Sequence, residues 1–180
     1  SRPGRGLLKI FFGMAPGVGK TYAMLEAAIQ AAGKGVQVMI GVAESHGRED
    51  TMRLIGRLPR LPMKKMAYRG VQMEEFDLEE ALRVKPQLIL VDELAHTNVP
   101  GMRHRKRYQD VEDLLAAGID VYTTLNVQHL ESRSDTVHDI TAAPVQETVP
   151  DSVLAEADCI QLVDITPEQL RTRLQEGKVY

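Results

Sequence analysis

Apolar runs of strand length alternate with amphipathic stretches from one end of the chain to the other. The strand-like runs fall at 7–12, 36–42, 66–68, 87–92, 120–125 and 159–164, and helical periodicity predicts segments near 20–32, 47–57, 77–84, 108–117, 151–156 and 167–176. The apolar runs at 36–42 and Leu88–Val91 suit strands covered on both sheet faces. Strand–helix alternation of this kind predicts an α/β fold with a mostly parallel, doubly wound sheet flanked by helices. Helix punctuation agrees. Asp77 with Glu80, and Thr166 with Gln169, carry the spacing of N-terminal capping boxes, and Pro167 then falls on the first helical position. Gly33, Gly118 and Gly177 follow helical runs and suit C-terminal caps. Two stretches break the pattern: 56–70, with Pro59 and Pro62, and 126–150. An irregular run as long as the second usually carries function.

The first strand runs straight into Gly13-Met14-Ala15-Pro16-Gly17-Val18-Gly19-Lys20-Thr21, and a helix follows. A glycine-rich loop between a strand and a helix turns successive N–H groups inward as a nest for phosphate oxygens, and the helix N-terminus adds partial positive charge. In such a loop the lysine reaches the β- and γ-phosphates and the threonine hydroxyl ligates Mg²⁺. Those roles fall to Lys20 and Thr21. The usual spacing, G-x-x-x-x-G-K-[ST], puts its first glycine at position 14, where this chain has Met14; Gly13 stands one place early. The loop assigns the domain to a three-layer, P-loop NTPase-like architecture that binds a nucleoside triphosphate.

A second signal is Leu88-Ile89-Leu90-Val91-Asp92-Glu93, an apolar strand with acids at its C-terminal end, the edge where open α/β sheets bind ligands. Asp92 is placed to hold Mg²⁺, and Glu93 to orient or deprotonate an attacking water. The loop 95–101 leaves the same edge and either senses a terminal phosphate or is a turn built by Asn98 and Pro100-Gly101. Asn126 and Gln128, after the fifth strand, could bind phosphate or water, or could cap a turn. His46 and Arg48, after the second strand, could touch ligand or pair on the surface. The basic run 103–107 reads as a solvated loop or docking patch ahead of a nucleic-acid surface or an arginine supplied to a neighbour, and the acidic run 74–80 as mostly a solvated helix start.

Composition narrows the alternatives. A net charge of −3 and a pI near 6.0 give no global drive toward nucleic acid or anionic membrane. With 43% apolar residues, few aromatics and no tryptophan, the 180 residues read as one domain with an aliphatic core. The single cysteine, Cys159, lies in an apolar run and is expected to be buried and inert. No apolar run approaches membrane-spanning length, no signal peptide opens the chain, and the five histidines lack zinc-ligand spacing. The ends suggest a piece of a longer protein.

Several phrases together carry a family resemblance. They are Phe11-Phe12-Gly13 through Ala23-Met24-Leu25, His46-Gly47-Arg48, and Leu90-Val91-Asp92-Glu93-Leu94-Ala95-His96-Thr97-Asn98. Later come Arg107-Tyr108-Gln109-Asp110-Val111-Glu112, Asn126-Val127-Gln128-His129-Leu130-Glu131-Ser132, Glu147-Thr148-Val149-Pro150-Asp151-Ser152-Val153 and Glu176-Gly177-Lys178-Val179-Tyr180. The sequence resembles the N-terminal sensor domain of the KdpD family of bacterial histidine kinases, which control a potassium-uptake operon. That family also departs from glycine at the position of Met14; Arg133-Ser134 differs from the family's usual Leu-Asn. The resemblance implies an ATP- and Mg²⁺-binding regulatory domain on the cytoplasmic side of a bacterial inner-membrane sensor kinase. Other domains of the same chain would be its partners, and it would be dimeric in the full-length protein. Gly17, Gly19, Lys20, Thr21 and Asp92 match the family's nucleotide-binding positions, and Gly13, Pro16, Val18 and Asn126 complete the set of candidate nucleotide-binding residues. Thr21 and Asp92 would hold Mg²⁺, and Glu93 is the catalytic candidate if turnover occurs. A free-standing P-loop NTPase or small-molecule kinase is the alternative.

Overall fold

The computed structural model describes residues 4–15, 17–130 and 147–179. Five strands form one sheet: β1 (Leu8–Gly13), β2 (Val38–Val42), β5 (Leu88–Val91), β6 (Asp120–Asn126) and β7 (Cys159–Val163), in the order β2-β5-β6-β1-β7. Every pairing within it is parallel. Gly13 pairs with Asn126 and with Val163, and Val42 pairs with Val91. All the strands therefore end at one edge, and the loops that leave them meet there.

Helices α1 (Lys20–Gly33) and α2 (Glu49–Ile55) pack on one face, α3 (Leu78–Val84) and α4 (Arg107–Ala116) on the other. Side chains alternate accordingly, as a two-residue strand period requires. In β1, Ile10 and Phe12 join the core under α3 and α4, whereas Phe11 joins Met24 and Leu25 of α1. In β5, Ile89 and Val91 face the first core, Leu88 and Leu90 the second. Gly41 in β2 makes room for Phe76, because a Cβ there would lie 2.6 Å from the ring. The chain continues through α5 (Ser152–Glu156) to β7 and then α6 (Pro167–Val179). No helix among the described residues is long and apolar enough to cross a membrane.

The structure corrects the sequence expectation at several elements. The run at 66–68 is part of β3 (Lys64–Tyr68), which does not join the main sheet; it pairs antiparallel with β4 (Val71–Glu75), a strand that periodicity did not signal. Tyr68, Val71 and Met73 of this hairpin are exposed, so its sequence shows no core-facing alternation. Cys159 is exposed rather than buried, since β7 is an edge strand bonded only to β1 and its apolar residues are not covered on both faces. Gly33 is the last residue of α1 and Lys34 its C-cap, and the left-handed turn falls at Gly35 and not at Gly33. Gly177 lies within α6, which runs on through it. Gly118 does take the left-handed conformation (φ 86°) after α4. Thr166 and Gln169 form the full reciprocal box at 2.8 and 3.1 Å, whereas at Asp77 only the N-cap half forms: Asp77 accepts from the Glu80 amide at 3.1 Å, and the Glu80 carboxylate pairs with Arg83 instead.

Candidate functional site

The C-terminal edge of the sheet opens into a cleft of about 570 Å³. The loop after β1 forms its floor, with Gly17 at φ 84° and Gly19 at φ 95°, backbone that residues with a Cβ rarely adopt. Gly19 is the N-cap of α1, and no side chain caps that end; neither does an acidic residue sit in its first turn. Its leading amides therefore lack side-chain acceptors, and the helix end keeps its partial positive charge.

Gly13 has a role that the displaced spacing concealed. A Cβ at this position would lie 2.8 Å from Val18 Cγ2 and 2.9 Å from Lys20 Cδ. The glycine thus lets the Lys20 stem lie flat against β1. Lys20 is buried to 9% exposure, and its Nζ donates to the Ala15 carbonyl at 3.0 Å, bridging the loop from within. Burial lowers the Lys20 pKa, while the charges of Asp92 and Glu93 act in the opposite sense.

Asp92 is fully buried at the end of β5 and is held on several sides. Its Oδ2 accepts from Thr21 Oγ1 at 3.1 Å and from the Glu44 amide at 2.9 Å; its Oδ1 accepts from Thr124 Oγ1 at 2.5 Å and from the Glu93 amide at 3.1 Å. Three strand ends thus converge on one carboxylate, which hydrogen-bonds the threonine that opens α1. Glu93 follows with φ 57°, a left-handed conformation uncommon for a residue with a side chain and the kind of backbone cost that gathers at working sites. Burial, reinforced by the Asp92 charge, raises the Glu93 pKa. Its Oε1 lies 3.5 Å from His46 Nε2. Asn126, where β6 ends, lines the cleft, and its buried Oδ1 has no hydrogen-bond partner among the described residues. His129 lines it too, with a pKa lowered by burial.

Beneath the site lies a charged group that charge-run reasoning missed. Arg107, 3% exposed, donates from Nη1 to the Asp92 carbonyl at 2.9 Å and from Nη2 to Glu75 Oε1 at 3.4 Å. Glu75, 1% exposed, is also 2.8 Å from His96 Nε2 and accepts from the Val99 amide at 2.7 Å. Burial pushes the Glu75 carboxyl up, but the hydrogen bonds from His96 and Val99 and the charges of His96 and Arg107 outweigh it, so the pKa falls below the ordinary value.

The basic run is therefore no single surface. Arg107 is buried, Lys106 Nζ binds Ala95 O and Thr97 Oγ1, and His104 and Arg103 pair with Asp113. The acidic run likewise contains one buried member. Asn98 is a turn builder: its Nδ2 donates to the His104 carbonyl and to Asp110 Oδ2, both at 3.0 Å.

Residues 4–180 match the family model described as the osmosensitive K⁺ channel His kinase sensor domain, KdpD. The chain belongs to this family. It is 56% identical over 178 residues to the sensor protein KdpD of Escherichia coli K12, covering 99% of this chain and 20% of that protein. It is 55% identical to the sensor protein KdpD of Clostridium acetobutylicum, covering 98% of this chain and 20% of that one. A putative sensor protein KdpD of Synechocystis is also 55% identical; there the match covers 98% of this chain and 48% of the relative. The chain thus spans between a fifth and a half of these KdpD relatives.

Of the candidate residues, the structure gathers Gly17, Gly19, Lys20, Thr21, Asp92, Glu93 and Asn126 around one cleft, with Gly13 and Val18 packed under the loop. Pro16 and the stretch from Glu131 to Arg133-Ser134 lie outside the described residues. Sequence reasoning left out Thr124, the Glu44 amide, Arg107 and Glu75. Only Thr124 had a local signal, being a hydroxyl two residues before Asn126 at the end of a strand whose edge carries the other candidates.

Proposed function

We propose that this KdpD-family domain is a P-loop NTPase-like module that binds ATP with Mg²⁺ and regulates the sensor histidine kinase to which it belongs, and through it potassium-uptake gene expression. The observation that carries the proposal is the junction of Thr21 with Asp92, 3.1 Å apart beside a glycine loop that holds a buried lysine. A hydroxyl and a carboxylate meeting at the mouth of an anion nest is the donor set that a Mg²⁺–polyphosphate pair needs. Bound ATP and Mg²⁺ would supply the charge that the loop amides, Lys20 and Asp92 are arranged to take up. Lys20 exchanges the Ala15 carbonyl for phosphate oxygens, a charge-assisted bond in place of a weaker one. Asn126 turns its unpartnered Oδ1 toward a bound water. Glu93, whose pKa is raised by burial and by the Asp92 charge, is the residue placed to accept a proton from water if hydrolysis occurs.

Regulation in this scheme acts through the loops that leave the sheet edge. Residues 92–99 touch the cleft on one side and the Glu75–Arg107 group on the other, and Asn126 and His129 line the same cleft. Ordering them on the nucleotide alters the surface offered to the other domains of the kinase, which we place at the cytoplasmic face of the membrane as a dimer.

Calorimetric titration of the domain with ATP, GTP and ADP, with Mg²⁺ and with EDTA, tests this. Binding should require Mg²⁺ for full affinity, and Lys20→Ala should weaken ATP by at least about tenfold while leaving the melting temperature of the free domain within a few degrees. Equal ATP affinity in the parent and Lys20→Ala, or no binding to the parent, would refute the proposal.

A further inference from the structure

Between β2 and α2, the segment 44–48 lines the cleft and reaches both its acidic end and the glycine loop. The Glu44 amide holds Asp92, His46 faces Glu93, and Arg48 Nη2 donates to the Gly17 carbonyl of the glycine loop at 2.8 Å. A tight turn sets these directions. The Arg48 amide bonds the Ser45 carbonyl at 3.1 Å, and both central residues are left-handed, His46 at φ 51° and Gly47 at φ 74°. Positive φ at both central positions is the type I′ geometry, which leaves the turn little freedom to splay. It therefore presents His46 and Arg48 to the two sides of the cleft as one unit.

Arg48 is exposed, and the hydrogen bond to Gly17 O is the only one its guanidinium makes among the described residues. A planar guanidinium carries five donors and is always charged, so one bond to a neutral carbonyl leaves most of its capacity unused. The side chain is anchored on the same rim as Asp92 and Glu93. The terminal phosphate of a chain held by Lys20 and by Mg²⁺ at Thr21 would come to that rim.

Resting on the nucleotide-binding proposal above, we infer that Arg48 is the residue by which this domain tells a nucleoside triphosphate from a diphosphate. It leaves the Gly17 carbonyl to take the terminal phosphate oxygens in a forked, charge-assisted contact. A diphosphate ends short of it, so Arg48 stays on the loop. The exchange releases the glycine loop from the 44–48 turn only when the third phosphate is present, which makes the turn the part of the site that changes with nucleotide state.

The test compares dissociation constants for Mg²⁺ with the non-hydrolysable β,γ-imido analogue of ATP and for Mg²⁺ with ADP, in the parent, Arg48→Ala and Arg48→Lys. Arg48→Ala should lose about tenfold or more in triphosphate affinity and stay within about twofold for ADP, collapsing the preference; Arg48→Lys, a point charge without the fork, should recover only part of it. If Arg48→Ala weakens both ligands equally, Arg48 merely steadies the loop, and the inference fails while the nucleotide site stands. If neither affinity moves, it fails as well. If the parent binds neither nucleotide, the inference falls together with the site itself.

Discussion

Replacing Arg107 with methionine isolates the buried charges under the site. The substitution keeps an unbranched apolar stem and removes two contacts: the 2.9 Å bond to the Asp92 carbonyl and the 3.4 Å contact with Glu75. Taking one partner from a buried pair costs about 3–5 kcal/mol, because the other charge remains buried. Here Glu75 keeps His96 at 2.8 Å and the Val99 amide at 2.7 Å, and Arg107 Nε has no partner among the described residues to lose. The lower end of the range, about 3 kcal/mol, is therefore expected. In a domain of this size that corresponds to a fall in melting temperature of about 6–12 °C.

Urea denaturation of the parent, Arg107→Met, Glu75→Gln and the double variant measures the effect and its origin. In the double variant the two losses should fall short of their sum by at least about 1 kcal/mol, since neutralising Glu75 removes the unpaired charge that Arg107→Met creates. The pH dependence provides a further check. Glu75 titrates below its ordinary value in the folded protein, so its contribution is present above the unfolded-chain pKa and is lost as pH falls through the folded one. The cost of Arg107→Met should accordingly shrink in acid. Destabilisation under about 1 kcal/mol at neutral pH, or strict additivity with Glu75→Gln, would refute the account of a paired, buried arginine.

Two other perturbations follow from packing and titration. Gly41→Ala drives a Cβ to 2.6 Å from Phe76 Cε1 and 3.1 Å from Ile89 Cδ1, so chemical denaturation should show a loss of about 1–3 kcal/mol; Gly33→Ala, with open space at its Cβ, should cost nothing. Burial raises Asp110 to about 6, opposed by the hydrogen bond from Asn98 and the charge of His104. An acid raised on folding stabilises below its unfolded pKa and loses that contribution as pH climbs through the folded value. The stability of the parent relative to Asp110→Asn should therefore fall between pH 4 and 7, by on the order of 1–2 kcal/mol after solvent screening, and a flat difference would contradict the burial argument.

The parts of the site that were legible in the sequence share one property: each is local. Gly17, Gly19, Lys20 and Thr21 lie within five consecutive positions, and Asp92 marks the end of an apolar run whose direction follows from strand–helix alternation. Parallel register then brings Gly13 level with Asn126 without any side chain having to signal it. Gly13 reads in the sequence only as a glycine one place early, because its constraint, a Lys20 stem within 3 Å of its missing Cβ, is a packing fact and not a spacing. The expectation of a buried Cys159 fails because apolar composition cannot tell an edge strand from a central one.

The largest miss has a single physical root. Glu75 was taken as part of a solvated acidic run, and Arg107 as part of a solvated basic one, yet the two charges, 32 residues apart, are buried against each other. Glu75 ends β4, the strand that periodicity did not reveal because Val71 and Met73 face solvent there. Without that strand nothing in the sequence carries residue 75 to the foot of β5, so a like-charged run is the only description left for it. With the strand in place, the hairpin brings Glu75 to Arg107, and Arg107 to the Asp92 carbonyl. The unrecognised element and the unrecognised support of the site are thus one error. It also ties the β3–β4 hairpin, through Arg107, to the residue proposed to hold the metal.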